Sequence, residues 1–368
     1  MTSHTRVFTF LASCLVLGAL SDALAAGFAL EEGSARGNVD PGELTAKGGE
    51  PGSLYFNAAT ITELPGTQVE VGASLIKPWA DVKTISPYTG QEAVGHGHSK
   101  VWTIPSAYAT HQINDSLWFG VGLFTRYGLG AKFPSTWAGR YGNYKAEILS
   151  FDLSPQLAWK VTDNLDFGAA YHSRMQFKVK GDAKWRKPAA VNAMAPAFFE
   201  DMPFHSRNYN PDKIMAGLAW GATDRLTLSA GLTYTTWHLY DDLLIKLDRD
   251  MVPGRHELAS EKQWHDTWRV SGGASYALTE EWTARAGYTW DQSPINGRYA
   301  DYLVPGDNRS IFALGLGWSR GEWSVEGSLF YEYVEDYRVH AAPARGVYEG
   351  GYQDAEGYCL ALSVTRRF

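Results

Sequence analysis

Strict alternation of side chains with a period of two is the feature that most constrains this chain. From Leu226 to Tyr234, leucine, alanine and tyrosine alternate with threonine, serine and glycine. A period of two places the two sets on opposite faces of a β-strand. A similar arm, residues 214–222, precedes it across the polar turn 223–225, which predicts an antiparallel hairpin. Arms of about ten residues are long enough to cross a bilayer when tilted.

The same unit recurs along most of the chain. The predicted strands lie near residues 67–77, 101–113, 116–128, 144–161, 165–180, 208–222, 226–247, 262–278, 282–293, 309–319, 323–339 and 357–368. Short polar turns, such as 279–281, alternate with long connections, such as 181–207, which is typical of outer-membrane barrels. A closed sheet also leaves no backbone group unpaired in lipid. We therefore predict an all-β fold, a transmembrane antiparallel β-barrel of about 12 strands, with boundaries good to a few residues.

Composition and the N-terminal residues place the chain in the cell envelope. The net charge of −7 argues against a nucleic-acid partner. After the leader, the chain has no apolar run of about 18 residues, which excludes a helical membrane protein. Residues 1–25 have the features of a secretory signal peptide: Arg6, an apolar run over 7–20, and the small-residue site Ala23-Leu24-Ala25. We expect the mature protein to begin at Ala26.

Residues 26–66 are glycine-rich and lack alternation. The segment is too long for an idle connection in a compact protein. It also carries Phe28, Leu30, Tyr55 and Phe56, whose side chains need a place to be buried. A disordered tail is the alternative. We interpret residues 26–66 as a hatch, or plug, inside a barrel formed by residues 67–368.

The long connection 181–207 is unusually apolar for a loop that faces water. Such a surface suggests a binding patch for a hydrophobic molecule. The alternative is a lid packed over the barrel mouth, and the two readings are compatible. The residues predicted to capture ligand on this loop are Val191, Met194, Phe198, Phe199, Met202 and Phe204.

Several arginines share the polar parity of their strands and are predicted to point into the lumen. An arginine fork binds a carboxylate well, so these side chains are candidates for holding a fatty-acid head group. The alternative is an internal ion-pair network with acids such as Glu326. The candidate lumen residues are Phe28, Leu30, Arg126, Arg174 and Arg285.

A proline inside an alternating strand predicts an irregularity in the barrel wall. Pro155 removes a hydrogen-bond donor from its strand. Gly128 and Gly130 lie at the top of the preceding strand. We predict a lateral gap near these three residues. The alternative is an ordinary bulge that adds curvature to the sheet.

Several stretches resemble one known family. They include Ala26-Gly27-Phe28 with residues 32–37, Leu54-Tyr55-Phe56-Asn57-Ala58-Ala59, residues 119–128 with 137–141, residues 234–240, residues 267–270, and residues 285–294 with 304–309. They are similar to the outer-membrane long-chain fatty-acid and hydrocarbon transporters (FadL/TodX/OMPP1 type), and the likeness extends over the mature chain. Ala58 stands where the family's Asn-Pro-Ala motif has proline. Family barrels have fourteen strands, so fourteen is the alternative to our count.

The resemblance implies a passive channel in the outer membrane of a Gram-negative cell. Substrate is captured on outer loops, passes to an internal pocket and leaves sideways through the wall. Long-chain fatty acids are the expected substrates, with monoaromatic hydrocarbons or other hydrophobic xenobiotics as the alternative. A structural or adhesin barrel and an outer-membrane lipid hydrolase are alternatives of other classes. The hydrolase would need an outward Ser-His-acid set, which the spacing does not supply.

We expect no enzymatic activity, no cofactor and no metal. The expected partners are hydrophobic small molecules and outer-membrane lipid. The final alternating strand ends in the aromatic Phe368, which is typical of the signal read by the barrel assembly machinery. We expect the protein to act as a monomer.

Overall fold

The structure is a computed structural model. It describes residues 29–85, 90, 92–96, 101–132, 145–149, 151–162, 165–170, 177–183, 193, 200, 202–208, 211–302, 306–342 and 347–368. The signal peptide predicted for residues 1–25 lies outside this part of the chain, and so does Phe28. None of the helices in the described residues has the length and apolar character needed to span a membrane.

The described residues form twenty strands and a few short helices. The strands are β1 (Thr67–Ile85), β2 (Glu92–His96), β3 (Trp102–Asn114), β4 (Leu117–Phe124), β5 (Gly128–Lys132), β6 (Lys145–Leu149), β7 (Asp152–Thr162), β8 (Leu165–Ala170), β9 (Phe177–Ala183), β10 (Met202–Asn208), β11 (Lys213–Gly221), β12 (Leu226–Thr235), β13 (Asp242–Leu247), β14 (Glu257–Glu261), β15 (Thr267–Ala277), β16 (Trp282–Asp291), β17 (Arg309–Arg320), β18 (Trp323–Val334), β19 (Tyr337–Val339) and β20 (Gly350–Arg367). The helices are α1 (Pro41–Ala46) and the 3-10 helices Pro51–Tyr55, Ala58–Glu63 and Trp237–Leu239.

One antiparallel sheet forms the barrel wall. Its path runs β11–β12–β15–β16–β17–β18–β20–β1–β3–β4–β7–β8, and β2 and β19 add to β1 and β20. The path has twelve strands in the part of the chain that the structure describes, as counted from the alternation. The pairing of β20 with β1 joins the two ends of the strand sequence. The predicted all-β antiparallel barrel is therefore confirmed.

The two faces of the wall divide as the alternation predicts. On β17, Phe312, Leu314 and Leu316 are 53%, 64% and 46% exposed, whereas Ile311 and Ala313 are buried. Such an apolar outer face is what a lipid environment requires. We call the end of the barrel that bears the short turns the turn end, and the opposite end the loop end.

The first and last strands of the chain, β1 and β20, are longer than predicted. Residues 78–85 and 350–356 were expected to be loop, yet both segments continue their strands toward the loop end beyond a bulge between Trp79 and Asp81. Pro78 reads as a strand breaker, but it lies opposite Gly357 in a regular register. The extension is stabilised because Val82 and Tyr352 belong to a buried apolar cluster toward the loop end.

Other strands are interrupted where the sequence predicted continuity. The predicted strand 116–128 divides into β4 and β5, and 226–247 divides into β12 and β13. The predicted strands 144–161, 165–180, 208–222 and 323–339 divide in the same way. β19 stays paired with β20, whereas the other upper pieces leave the wall. Together with β14 they form two smaller sheets, β14–β13–β10–β9 and β5–β6. The connections at the loop end therefore contain sheets of their own.

The segment 29–66, which we call the hatch, is largely buried against the lumen face of the wall. Helix α1 begins with Pro41, and its N-cap Asp40 accepts a hydrogen bond from the Glu43 amide. It packs against β11, β12 and β15, while the 3-10 helix Ala58–Glu63 packs against β7 and β8.

Inward glycines make room for the hatch. A Cβ atom added to Gly287 would lie 1.8 Å from the Val39 carbonyl oxygen, and one added to Gly217 would lie 2.6 Å from the Gly42 carbonyl oxygen. Gly272 gives the contrast, because its added Cβ would meet nothing closer than 3.9 Å. Hatch backbone therefore occupies the space beside Gly217 and Gly287, which lets the hatch pack against the wall.

Candidate functional site

The start of the hatch is paired with a break in the barrel wall. The chain leaves the wall strand β4 at Phe124 and begins β5, which belongs to a separate sheet, at Gly128. Within this break, Ala29 forms an isolated bridge with Tyr127, and the Leu30 amide donates to the Arg126 carbonyl over 2.8 Å. The first described residues of the hatch thus supply backbone pairing where the wall is interrupted.

Two of the predicted carboxylate-binding arginines are held in ion pairs within the wall. The Arg126 Nε donates to the buried Asp152 carboxylate at 2.7 Å. The Arg285 guanidinium contacts Glu326 at 2.7 Å. The ion-pair alternative thus describes both side chains in this structure, and substrate binding by either stays a prediction. Arg174 lies outside the described residues.

A buried lysine joins the wall to the hatch. Lys213, the first residue of β11, donates from Nζ to the Glu31 carboxylate, and the two side chains are 4% and 9% exposed. The same Nζ lies 5.3 Å from the centroid of the Tyr127 ring. Sequence reasoning missed Lys213. Its parity, shared with the inward Met215 and Gly217, was the signal that could have found it.

Arg309 is the second cation that the sequence analysis missed as a site residue. Its guanidinium contacts Asp291 at 2.7 Å and Glu332 at 3.2 Å, and its side chain is 1% exposed. Its Nη2 also lies 3.5 Å from the Ala29 carbonyl oxygen. Buried charges of this kind are stable only when paired. The start of the hatch is thus held by residues 126 and 127 of the break and by groups from β11 and β17.

Aromatic side chains lie beside Lys213 at the loop end. The ring centroids of Tyr127 and Trp237 are 6.1 Å apart, and those of Trp237 and Trp264 are 5.0 Å apart. The ring centroids of Trp264 and Tyr240 are 4.8 Å apart. All four side chains are buried. We call them the aromatic cluster. It provides an apolar wall next to a buried cation.

Asp266 fixes the segment that carries part of this cluster. It accepts hydrogen bonds from the His238 amide at 3.0 Å and from the Tyr234 hydroxyl at 2.6 Å. Burial raises the pKa of the Asp266 carboxyl, but these hydrogen bonds and the adjacent His238 ring outweigh burial and hold the pKa below its ordinary value. The carboxylate is therefore charged at neutral pH and orders residues 237–239.

The described part of the apolar loop is packed rather than open. Met202 is 3% exposed and forms a small core with Leu247 and Met251, against which the half-buried Phe204 packs. Met202 is therefore buried in this structure, and ligand capture by Met202 and Phe204 stays a prediction. The other predicted capture residues, Val191, Met194, Phe198 and Phe199, lie outside the described residues.

The three predicted gap residues occupy different positions. Pro155 lies opposite Val121 in the β4–β7 ladder, which runs past it without a register shift. Gly128 begins β5 directly after the break, and Gly130 follows on the same strand. The chain therefore leaves the β4 ladder at residues 125–127, beside Gly128, whereas the ladder is regular at Pro155.

Comparison with known proteins identifies a family to which the chain is similar. The family model described as outer membrane protein transport protein (OMPP1/FadL/TodX) matches residues 16–170 and 166–368. The chain is 21% identical over 431 residues to a long-chain fatty acid transport protein of Salmonella typhi, covering 95% of this chain and 97% of that protein.

Two solved structures show a similar fold. A Pseudomonas aeruginosa FadL homologue superposes with a TM-score of 0.75 at 18% identity, covering 92% of this chain and 99% of that one. The toluene transporter TodX of Pseudomonas putida gives a TM-score of 0.59 at 15% identity, covering 86% and 94%. At these identities, the likeness to the two structures concerns the fold alone.

Proposed function

This chain belongs to the OMPP1/FadL/TodX family of outer membrane transport proteins, and we propose that it is a passive uptake channel for long-chain fatty acids. The family transports hydrophobic molecules and the barrel lies in the outer membrane, so the loop end faces the outside of the cell. The work of such a protein is binding and passage rather than catalysis.

One observation carries the proposal: the hatch, buried within the barrel, occupies the lumen. A porin conducts water-soluble molecules through an open, water-filled lumen. Here the wall glycines Gly217 and Gly287 are in contact distance of hatch backbone. In the part of the chain that the structure describes, the centre of the barrel is therefore packed, as suits a channel for apolar molecules that avoids an aqueous path.

The proposed route has three stages. A fatty acid is captured on the apolar loop that contains residues 191–204. It then reaches the aromatic cluster and Lys213 at the loop end of the lumen. Movement of hatch residues 29–32 away from Tyr127 frees the break at residues 125–127, and the molecule leaves sideways past Gly128 into the membrane.

The last strand supports membrane insertion as a single chain. Phe368 is 63% exposed, and its amide donates to the Thr67 carbonyl over 2.8 Å. It shares outward parity with Leu360 and Leu362. We propose that the barrel assembly machinery recognises this terminus and that the folded protein acts as a monomer surrounded by outer-membrane lipid.

Uptake by cells tests the proposal. Cells that lack their own hydrophobic-solute channel carry either this protein or an empty vector, and entry of radiolabelled oleate and toluene is measured. We expect faster oleate entry with the protein. Heat-modifiable migration on gels verifies that the barrel is folded, so absence of a gain for either solute would contradict the proposal.

The second candidate function is uptake of monoaromatic hydrocarbons, which the aromatic cluster favours because its rings would stack with a planar solute. Faster toluene entry without faster oleate entry would support this alternative. It would also leave the inward arginines with structural roles.

A further inference from the structure

We propose that Glu31 of the hatch occupies the position that a fatty-acid carboxylate takes at Lys213, so that the substrate displaces the hatch by exchange of carboxylates. This inference rests on the proposed function. It assigns the head-group site to Lys213, and it gives the channel a reason to open for acids in particular.

The first reason is the origin of the two partners. In the pairs Arg126–Asp152 and Arg285–Glu326, both partners belong to the barrel-forming part of the chain, residues 67–368. The pair of Lys213 and Glu31 instead joins the wall to the hatch. A carboxylate from a movable segment can be exchanged without rearranging the barrel.

The second reason is energetic. Both side chains are almost fully buried, so withdrawal of Glu31 alone would leave an unpaired ammonium group in the lumen, which is strongly unfavourable. A fatty acid brings the same chemical group on a chain that is itself apolar. Exchange therefore preserves the buried ion pair, whereas a neutral hydrocarbon leaves Lys213 without an anion.

The third reason is the surface beside the cation. Lys213 lies over the Tyr127 ring, and Tyr127 is in contact with Trp237 of the aromatic cluster. A carboxylate seated on Lys213 would direct the first carbons of its chain along these rings. Ligand sites commonly combine a largely apolar lining with a few placed polar groups.

The fourth reason is the coupling to the break. Glu31 follows Leu30, whose amide donates to the Arg126 carbonyl, and Ala29, which bridges Tyr127. Displacement of Glu31 removes an anchor directly adjacent to both backbone contacts. Binding of a carboxylate is thus linked to release of the hatch start, and a ligand shifts such an equilibrium only by its different affinity for the two states.

The experiment compares two probes of equal chain length, oleate and oleyl alcohol, bound to the purified full-length protein in nonionic detergent. Lys213→Gln is expected to weaken oleate binding by roughly tenfold or more and to leave oleyl alcohol unchanged, because the lost group is a charge-assisted partner. Glu31→Gln is expected to strengthen oleate binding several-fold, because the internal competitor is neutral.

Lys83 provides the control for loss of a lysine charge. Its Nζ lies 3.4 Å from the Glu92 carboxylate, and the two side chains are 42% and 55% exposed. Lys83→Gln is expected to leave both affinities unchanged. Equal loss of oleate and oleyl alcohol in Lys213→Gln, or unchanged oleate binding in Glu31→Gln, would overturn the proposal.

A second measurement follows the hatch. Ala29→Cys is placed in a Cys359→Ser background, and the rate of maleimide labelling is followed. Oleate should accelerate labelling, oleyl alcohol should not, and Lys213→Gln should abolish the response to oleate. If the wild-type protein binds neither probe, the proposed function fails as well. If it binds both and the variants behave as wild type, only the exchange of carboxylates fails.

Discussion

At the scale of single residues, parity predicts which side chains enter the lumen but not which partners they meet. Arg285 was expected to point inward, with Glu326 as an alternative partner, and the structure forms that pair. Lys213 was missed because its partner, Glu31, lies 182 positions away and belongs to another part of the fold. Arg309 lies in one of the stretches that resemble the family, but its contact with Ala29 spans 280 positions. No local pattern contains such information.

Arg309 should be the most costly lumen cation to remove. Arg309→Met leaves Asp291 and Glu332 buried without their cation, so the free energy of unfolding should fall by about 3–5 kcal/mol. Arg338→Met is the control, because Arg338 is 73% exposed and pairs with Glu349 at the surface, so its loss should cost at most about 1 kcal/mol. Unfolding in urea, followed by tryptophan fluorescence, measures both. Equal losses would show that burial of the pair does not matter.

At the scale of elements, alternation predicts where strands lie but does not predict where they end. The all-β architecture and the order of neighbouring hairpins follow from the period of two. The break at residues 125–127 does not, because nothing in Thr125-Arg126-Tyr127 reads as a turn. The backbone leaves the ladder there to pair with Ala29, a residue on the hatch. In the same way, β1 continues beyond Pro78 because a buried apolar cluster stabilises the extension.

The pairing at the break should depend on one backbone donor. Leu30→Pro removes the amide that donates to Arg126, and proline cannot restore it. Hydrogen exchange at residues 125–127 should then accelerate, while exchange in β17 stays as in the wild type. Leu30→Val keeps the donor and serves as the control. Slow exchange at the break in Leu30→Pro would mean that the hatch contact does not protect it.

At the scale of the whole molecule, the barrel and its hatch were both expected, and the barrel matches the prediction. The strand count along the described path also agrees with the sequence. The depth to which the hatch fills the lumen could not be predicted. It depends on glycines such as Gly217 and Gly287, whose absent side chains signal space but not what occupies it.

Removal of residues 26–45 should separate a gating hatch from a passive filler. The deletion takes away most of α1 and the contacts of residues 29–31 with the break at residues 125–127, with β11 and with β17. We expect the deletion variant to fold as a barrel and to show increased ion conductance in planar bilayers. We also expect its rate of oleate uptake to differ from the wild-type rate. Wild-type conductance and uptake in a deletion variant that folds would indicate that these residues neither fill the lumen nor gate it.

The pairing of β20 with β1 has a consequence for how this molecule comes into being. The hatch precedes β1 in the chain, while β20 is the strand that meets β1 from the far end. A cylinder joined at that seam encloses whatever already lies inside it. A Cβ atom at Gly287 would lie 1.8 Å from the Val39 carbonyl oxygen, so the hatch and the wall are in close contact in the folded protein. We therefore expect the hatch to be in place before β20 pairs with β1 during folding.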